Sequence, residues 1–449
     1  MDGRGDGGGH LISRAQRVLR LNDAGEFIKP SPRQYPHQWN WDSAFIALGL
    51  AHFDLPRAIA EVRGLLRAQW RDGMVPHIVY PTGPSDYFPP PAFWQTQNLP
   101  HAGPIPSSAL TQPPILTTVV RMFSERTHQQ SNGNATDYVL RFTHYAFPHL
   151  LAWHRWLHTA RDADGTGLPC LIHPWESGMD NSPLWANALD HITPAILPPF
   201  KRRDMIHVAA DERPLAPDYE RFVYLIDLGR RLCWEPRVLL EQMPFLIQDV
   251  LFCSILHRAD EDLRTLAVAL GEPTAEIDGW LARTRAVFDA RFWNEARGLY
   301  LDYDVRSQTP IDVNACGTFA PLFAGLASPE QAARLVAEHF DNLAEYAPSA
   351  DSCFRLPSAA KNERGYAPRR YWCGPVWIHI NWMIAEGLRR YGFDAQADAL
   401  ERDSLALIAE SGFREYYDPR DGRGCGADDF SWSAALTLEM LLGSRSDPA

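Results

Sequence analysis

DSAFIALGLAHF at 42–53 and PRAIAEVRGLLR at 56–67 decide the fold. The first run opens on Asp42, a helix-capping residue type, and continues almost wholly apolar. The second opens on Pro56, tolerated in a first helical turn where its missing N–H costs nothing, and sets Ile59, Val62, Leu65 and Leu66 at helical spacing. With only Asp54 and Leu55 between them, the two helices must lie side by side and antiparallel. The same pattern recurs along the chain. Helical stretches are expected at 108–124, 136–159, 218–234, 243–257, 259–270, 273–291, 328–340, 372–390, 393–410 and 431–443, mostly as adjacent pairs. Strong alternating strand patterns are missing, so the fold class is all-α, with the helices closing into a barrel or winding into a superhelix. No solenoid-type repeat is present.

The joints that are not short are rich in Pro, Gly and aromatic residues: 70–107, 161–217, 295–315, 342–371 and 411–430. A helical scaffold displays a site on such loops. Pro89-Pro90-Pro91, within Tyr80 to Trp94, stiffens either a lid or a plain surface loop. No interdomain linker stands out. We expect a flexible N-terminal segment over 1–30 and a single domain over 31–445.

The chain has 449 residues, of which 45% are hydrophobic, which suffices for a large core. Its net charge of -12 argues against a nucleic-acid partner, which requires clustered Lys and Arg. The seven cysteines (170, 233, 253, 316, 353, 373 and 425) are odd in number and form no CxxC. Neither a disulfide framework nor a zinc site is expected, and a reducing cytoplasm suits them best. The Gly/Asp-rich stretch Met1 to His10 has no apolar h-region, and no run is long enough to span a membrane. We expect no metal, no cofactor and no membrane partner; a homo-oligomer stays open.

The 15 Trp, 15 Tyr and 21 Phe suit either a large aromatic core or the apolar C–H faces of a sugar. Many lie beside polar residues. Tyr35-Pro36-His37-Gln38-Trp39-Asn40-Trp41-Asp42 and Tyr371-Trp372-Cys373-Gly374-Pro375-Val376-Trp377-Ile378-His379-Ile380-Asn381-Trp382 each run into a helix N-terminus. A pure core role would be unusual for so many polar groups among indoles, since each buried polar atom needs a partner. Two further segments hold acids. In Trp175-Glu176-Ser177-Gly178-Met179-Asp180-Asn181-Ser182-Pro183, burial and a second carboxylate would raise an acid's pKa and let it donate a proton; alternatively, Asp180 or Ser182 simply caps the next helix. In Gly412-Phe413-Arg414-Glu415-Tyr416-Tyr417-Asp418-Pro419, Arg414 and two tyrosines would keep Glu415 ionised as a base, or Glu415 forms an ordinary surface ion pair.

Together, WDSAF at 41–45, WESGMDNSP at 175–183, GPVWIHINW at 374–382 and GFREYYDP at 412–419 resemble, in order, glycoside hydrolase family 63, in its bacterial branch related to mannosylglycerate and glucosylglycerate hydrolases. The resemblance spans Tyr35 to Leu442. It implies an (α/α)6 barrel with long loops forming a lid, inversion of configuration and no metal. By position it makes Asp180 the general acid and Glu415 the general base. It puts Tyr35, Trp39, Trp41, Asp42, Trp175, Trp377 and Asn381 around the sugar, with Tyr80, Gly178, Tyr371 and Trp372 in the same motifs and loops. Glu176 then binds sugar hydroxyls or positions Asp180.

For the leaving group, Arg213 and Tyr219, joined by Gln112, are the candidates to hold a glycerate carboxylate; Arg213 equally suits its acidic neighbours. Asp428-Asp429 would repel glycerate if it lined the same pocket. The favoured substrate is a small α-glucoside such as 2-O-α-glucosylglycerate, or mannosylglycerate, cut from its non-reducing end. The alternatives are a neutral α-glucoside, a sugar epimerase or isomerase using His379 and His37, and a non-catalytic sugar-binding protein.

Overall fold

The structure is a computed structural model that describes residues 4–81, 86–129 and 133–443. Twelve helices build the barrel: α1 (Arg4–Leu21), α2 (Asn40–Leu50), α3 (Leu55–Arg67), α4 (Leu116–Gln129), α5 (Gly133–Ala160), α6 (Val250–Leu270), α7 (Ala275–Phe292), α8 (Ala320–Ala324), α9 (Pro329–Arg334), α10 (Ile378–Arg390), α11 (Asp394–Ser411) and α12 (Ser431–Leu442). The even-numbered helices form the inner ring: each touches the next, and α12 closes back on α2. The odd-numbered ones follow as the outer layer of an (α/α)6 barrel; α3 packs on α2, α5 on α4 and α6, and α11 on α10.

Position in the ring explains the sequence patterns. Every residue of α2 is buried, so this inner helix shows no polar stripe, whereas α3 is two-faced. Small residues let inner helices cross closely. A Cβ on Gly49 of α2 would fall 2.4 Å from Ala435 Cα of α12, and one on Gly387 of α10 would fall 2.5 Å from the Phe323 nitrogen of α8.

The expectation of a flexible segment over 1–30 is corrected. Ala15, Val18 and Leu19 are buried, with Leu11 and Ile12 packed against the same core. They form one face of α1, which lies on α12 and completes the outer layer. Ser431 ties the connection down, its N–H donating to the Pro30 carbonyl and its hydroxyl to that of Lys29. The spacing of 11, 12, 15, 18 and 19 was a helical strip; the glycines at 3, 5, 7, 8 and 9, poor helix formers, obscured it.

Three other boundaries differ. The stretches 243–257 and 259–270 merge into α6, which starts only at Val250, where the Asp249 carboxylate accepts the Phe252 N–H. Pro113 and Pro114 delay α4 to Leu116, and residues 372–377 precede α10 rather than belong to it. Two-residue strands then pin the loops where the inner helices begin. Gln38–Trp39, which runs into α2, pairs with Ile78–Val79; Ile247–Gln248, ahead of α6, joins Cys170–Leu171 to Tyr303–Asp304; Tyr416–Tyr417 pairs with Gly424–Cys425 and bridges to Val376 ahead of α10. Among the described residues no helix is long and apolar enough to cross a membrane.

Candidate active site

At that end of the barrel lies a pocket walled by aromatic side chains with a few acidic and basic groups among them, the kind of lining that small-ligand sites have. Thirteen of the seventeen expected site residues line it. Tyr35, Trp39, Trp41 and Asp42 come from the run into α2, and Trp175, Gly178 and Asp180 from the loop after Cys170–Leu171. Arg213, Tyr219 and Gln112 flank them, and Tyr371, Trp372 and Glu415 complete the wall.

The Asp180 loop is anchored from below. The short helix Pro174–Ser177 is capped by the His173 side chain, which accepts the Trp175 N–H. Glu176, wholly buried, accepts Arg161 Nη2 at 2.5 Å, the Ile172 N–H at 2.9 Å and the Thr111 N–H at 3.2 Å. It is off the pocket wall and positions the loop. Gly178 then turns the chain at φ +77, and a Cβ there would sit 2.4 Å from the Trp41 ring. Gly178→Ala combines left-handed strain with a clash and is expected to destabilise the protein by at least about 2 kcal/mol. The midpoint of chemical unfolding measures this; an unchanged midpoint contradicts it.

Beyond that turn, the half-buried Asp180 carboxyl has its pKa pushed up to about 7. Burial is the main cause; Arg213 opposes it and Glu415 adds to it. Asp42, in the first turn of α2, is also raised well above the usual carboxylate range, by burial and then by Glu415 and Asp180. A carboxyl that keeps its proton is a donor, to a glycosidic oxygen or a sugar hydroxyl.

Glu415 is held differently. Its Oε1 accepts the Tyr35 hydroxyl at 2.7 Å; its Oε2 accepts Arg213 Nη2 and the Ala427 N–H at 2.8 and 2.9 Å. Arg213 Nη1 reaches the Tyr35 oxygen at 2.8 Å, and its guanidinium lies over the Tyr371 ring. Donors on both oxygens stabilise the charged carboxylate, as a base requires. The cation is Arg213 from the distant 161–217 loop, and not the adjacent Arg414 that the sequence suggested.

Four expected residues stand behind the wall. Trp377 is stacked on the back of Trp372, ring centroids 3.8 Å apart. Asn381 donates to Ser404, and Tyr80 donates to the Pro89 carbonyl while accepting the Trp94 N–H. Glu176 is the fourth. His37 and His379 are off the wall as well, which removes the expected acid–base pair of an epimerase. His77 does line the pocket, but burial and then His173 hold its pKa well below the usual value, and it bonds Ser108. Residues 82–85 of the expected 70–107 loop lie outside the described residues, while Tyr87 and Phe88 from that loop line the pocket.

Sequence reasoning missed Gln34, His77, Tyr87, Phe88, Asp204, Pro214, Phe430 and Trp432 on this wall. Gln34 adjoins the 35–42 segment, and Tyr87 and Phe88 lie within the Pro-stiffened loop from Tyr80 to Trp94; Asp204 carried no local signal. Asp428 stays out of the pocket and pairs with exposed Arg33 at 2.9 Å, so the expected repulsion of an anion is not built in. Among the described residues no group of three His, Cys, Asp or Glu is placed to hold a metal.

Residues 35–433 match the model of the mannosylglycerate hydrolase MGH1-like glycoside hydrolase domain. The chain belongs to this family. As an MGH1-like protein of glycoside hydrolase family 63 it is a glycoside hydrolase, similar over nearly its whole length to mannosylglycerate and glucosylglycerate hydrolases. It is 45% identical over 427 residues to a mannosylglycerate hydrolase of Thermus thermophilus, covering 95% of this chain and 99% of that protein. It is 34% identical over 439 residues to a glucosylglycerate hydrolase of Mycolicibacterium hassiacum, covering 96% and 97%. The crystal structure of a Thermus thermophilus family 63 mannosylglycerate hydrolase in complex with Tris and D-glycerate superposes with a TM-score of 0.88 at 44% identity, covering 95% of this chain and 99% of that one.

Proposed function

We propose that the protein hydrolyses a glycosylglycerate from its non-reducing end with inversion, Asp180 acting as general acid and Glu415 as general base. The contrast between two carboxyls facing one pocket carries this reading: one raised to about 7, the other fixed by three donors. A carboxyl that keeps its proton is placed to donate it, and a carboxylate oriented by donors on both oxygens is placed to activate a water. Asp180 gives its proton to the glycosidic oxygen as the C1–O bond breaks. Glu415 takes a proton from a water whose oxygen attacks C1 from the opposite face. Asp42 donates to a sugar hydroxyl, and Tyr35, Trp39, Trp41 and Trp175 offer their faces to the ring.

Glucosylglycerate and mannosylglycerate are the favoured substrates, by likeness to the two hydrolases. Tyr219 lines the pocket with the Arg202 guanidinium over its ring, 4.3 Å from the centroid, and Asp204 pairs with that guanidinium at 2.6 Å. The family match over 35–433 supports one catalytic domain, which α1 (Arg4–Leu21) extends N-terminal to the expected start at 31; 444 and 445, at the expected end, lie outside the described residues. Seven free cysteines suit a reducing cytoplasm.

The test is release of free sugar from glucosylglycerate, mannosylglycerate, kojibiose, trehalose and isomaltose, with Asp180→Asn protein as blank. Release confined to the glycerate compounds, with the β-anomer first in proton NMR, is expected. Release from a neutral disaccharide alone overturns the substrate assignment, and first appearance of the α-anomer overturns inversion.

A further inference from the structure

Glu212 touches neither the substrate pocket nor the reacting atoms, yet its bonds converge on the base. It ends the turn Ala210–Glu212, and Arg213 after it is extended at φ -124, ψ 165. The backbone changes course between the two residues: Arg213 faces the pocket and grips Glu415, while Glu212 turns away toward the strand Gly424–Cys425 and the residues that follow it. There its Oε2 accepts the Gly426 N–H at 2.9 Å and its Oε1 accepts Arg369 Nη2 at 2.7 Å. Its own carbonyl accepts the Tyr416 hydroxyl at 2.6 Å. Glu212 is 5% exposed.

The peptide it holds is the one that serves the base. Ala427, next after Gly426, donates its N–H to Glu415 Oε2 and accepts the Glu415 N–H through its carbonyl. Contact at Gly426 is close: with φ at +67, a Cβ there would lie 2.5 Å from Glu415 Oε2. Any shift of this backbone therefore moves a donor on the carboxylate. Resting on the assignment of Glu415 as base, we infer that Glu212 is a positioning residue, which fixes the Gly426–Ala427 peptide so that its N–H stays aimed at Glu415. The dipeptide Glu212-Arg213 thereby holds the base from two sides, one directly and one through the backbone.

A hydrogen-bond role and a charge role separate by substitution. Glu212→Gln removes the charge and keeps a carbonyl oxygen for the Gly426 N–H; Glu212→Asp keeps the charge and shortens the reach; Glu212→Ala removes both. Partners that orient a reacting group, as known for metal ligands, are worth about 10- to 100-fold. We expect Glu212→Ala to lower kcat by about that much with KM unchanged. Glu212→Gln stays within about 3-fold of wild type on the same scale and exceeds Glu212→Asp; that comparison stands even where Glu212→Ala does not fold. Wild-type kcat in Glu212→Ala, equal losses in Glu212→Gln and Glu212→Asp, or a loss confined to KM overturns the inference. Glu415→Gln measured alongside isolates its premise: an active Glu415→Gln protein overturns the base assignment itself, whereas an inactive one with unaffected Glu212 variants overturns only the role of Glu212.

Discussion

Asp180→Asn and Glu415→Gln are each expected to lower kcat by about 10²- to 10⁴-fold while the far-ultraviolet spectrum stays that of the wild type; the unfolding midpoint holds in Asp180→Asn and falls in Glu415→Gln, where the buried Arg213 charge loses its partner. Both substitutions keep the side-chain shape and remove the proton chemistry. For the acid, the wild-type pH profile adds an independent check. The Asp180 carboxyl is raised to about 7, first by burial, with Arg213 opposing and Glu415 adding. The reacting form is the protonated one, so the rate falls as pH rises through about 7, and this alkaline limb vanishes in Asp180→Asn. In Glu415→Gln the neighbouring negative charge is gone, and the Asp180 midpoint, followed by carbon NMR, moves below about 7. A near-wild-type rate for either variant removes that residue from the mechanism.

The inner helices and the two acids were legible in the sequence for local reasons. Asp42 to Leu50 reads as a helix because it is apolar throughout, and WESGMD concentrates an acid, a turn-forming glycine and an indole in six residues. The partner of Glu415 was not legible in this way. Arg213 meets Glu415 across 202 residues, and no local pattern distinguishes it from Arg414 beside Glu415. The same limit applies to α1: its apolar strip was visible, but its partner α12 lies at the far end of the chain, and only that contact turns a weak helix former into part of the barrel. Trp377 and Asn381 erred the other way. Their motif is right, but α10 starts at Ile378, so the aromatic run before it presents Trp372 to the pocket and stacks Trp377 behind it.

Arg213→Ala is the second large effect, and the structure changes what to expect of it. Had the guanidinium been free to bind glycerate, its loss would raise KM for glycerate compounds alone. Instead Arg213 and Glu415 form a pair that is 2% and 1% exposed, and Arg213 also fixes the Tyr35 hydroxyl that donates to the same carboxylate. Removing one partner of a buried pair leaves the other charge uncompensated and destabilises by about 3–5 kcal/mol. Glu415 also loses the charged donor that orients its carboxylate. Arg213→Ala is therefore expected to lower stability against urea unfolding by that amount and to lower kcat on every substrate, neutral or glycerate-bearing. Arg213→Lys restores a charge but not the two-pronged geometry, so it recovers stability more than rate. A protein that keeps its kcat after Arg213→Ala and loses only its affinity for glycerate compounds would assign the guanidinium to the leaving group, and the base would then depend on Tyr35 and the Ala427 N–H alone.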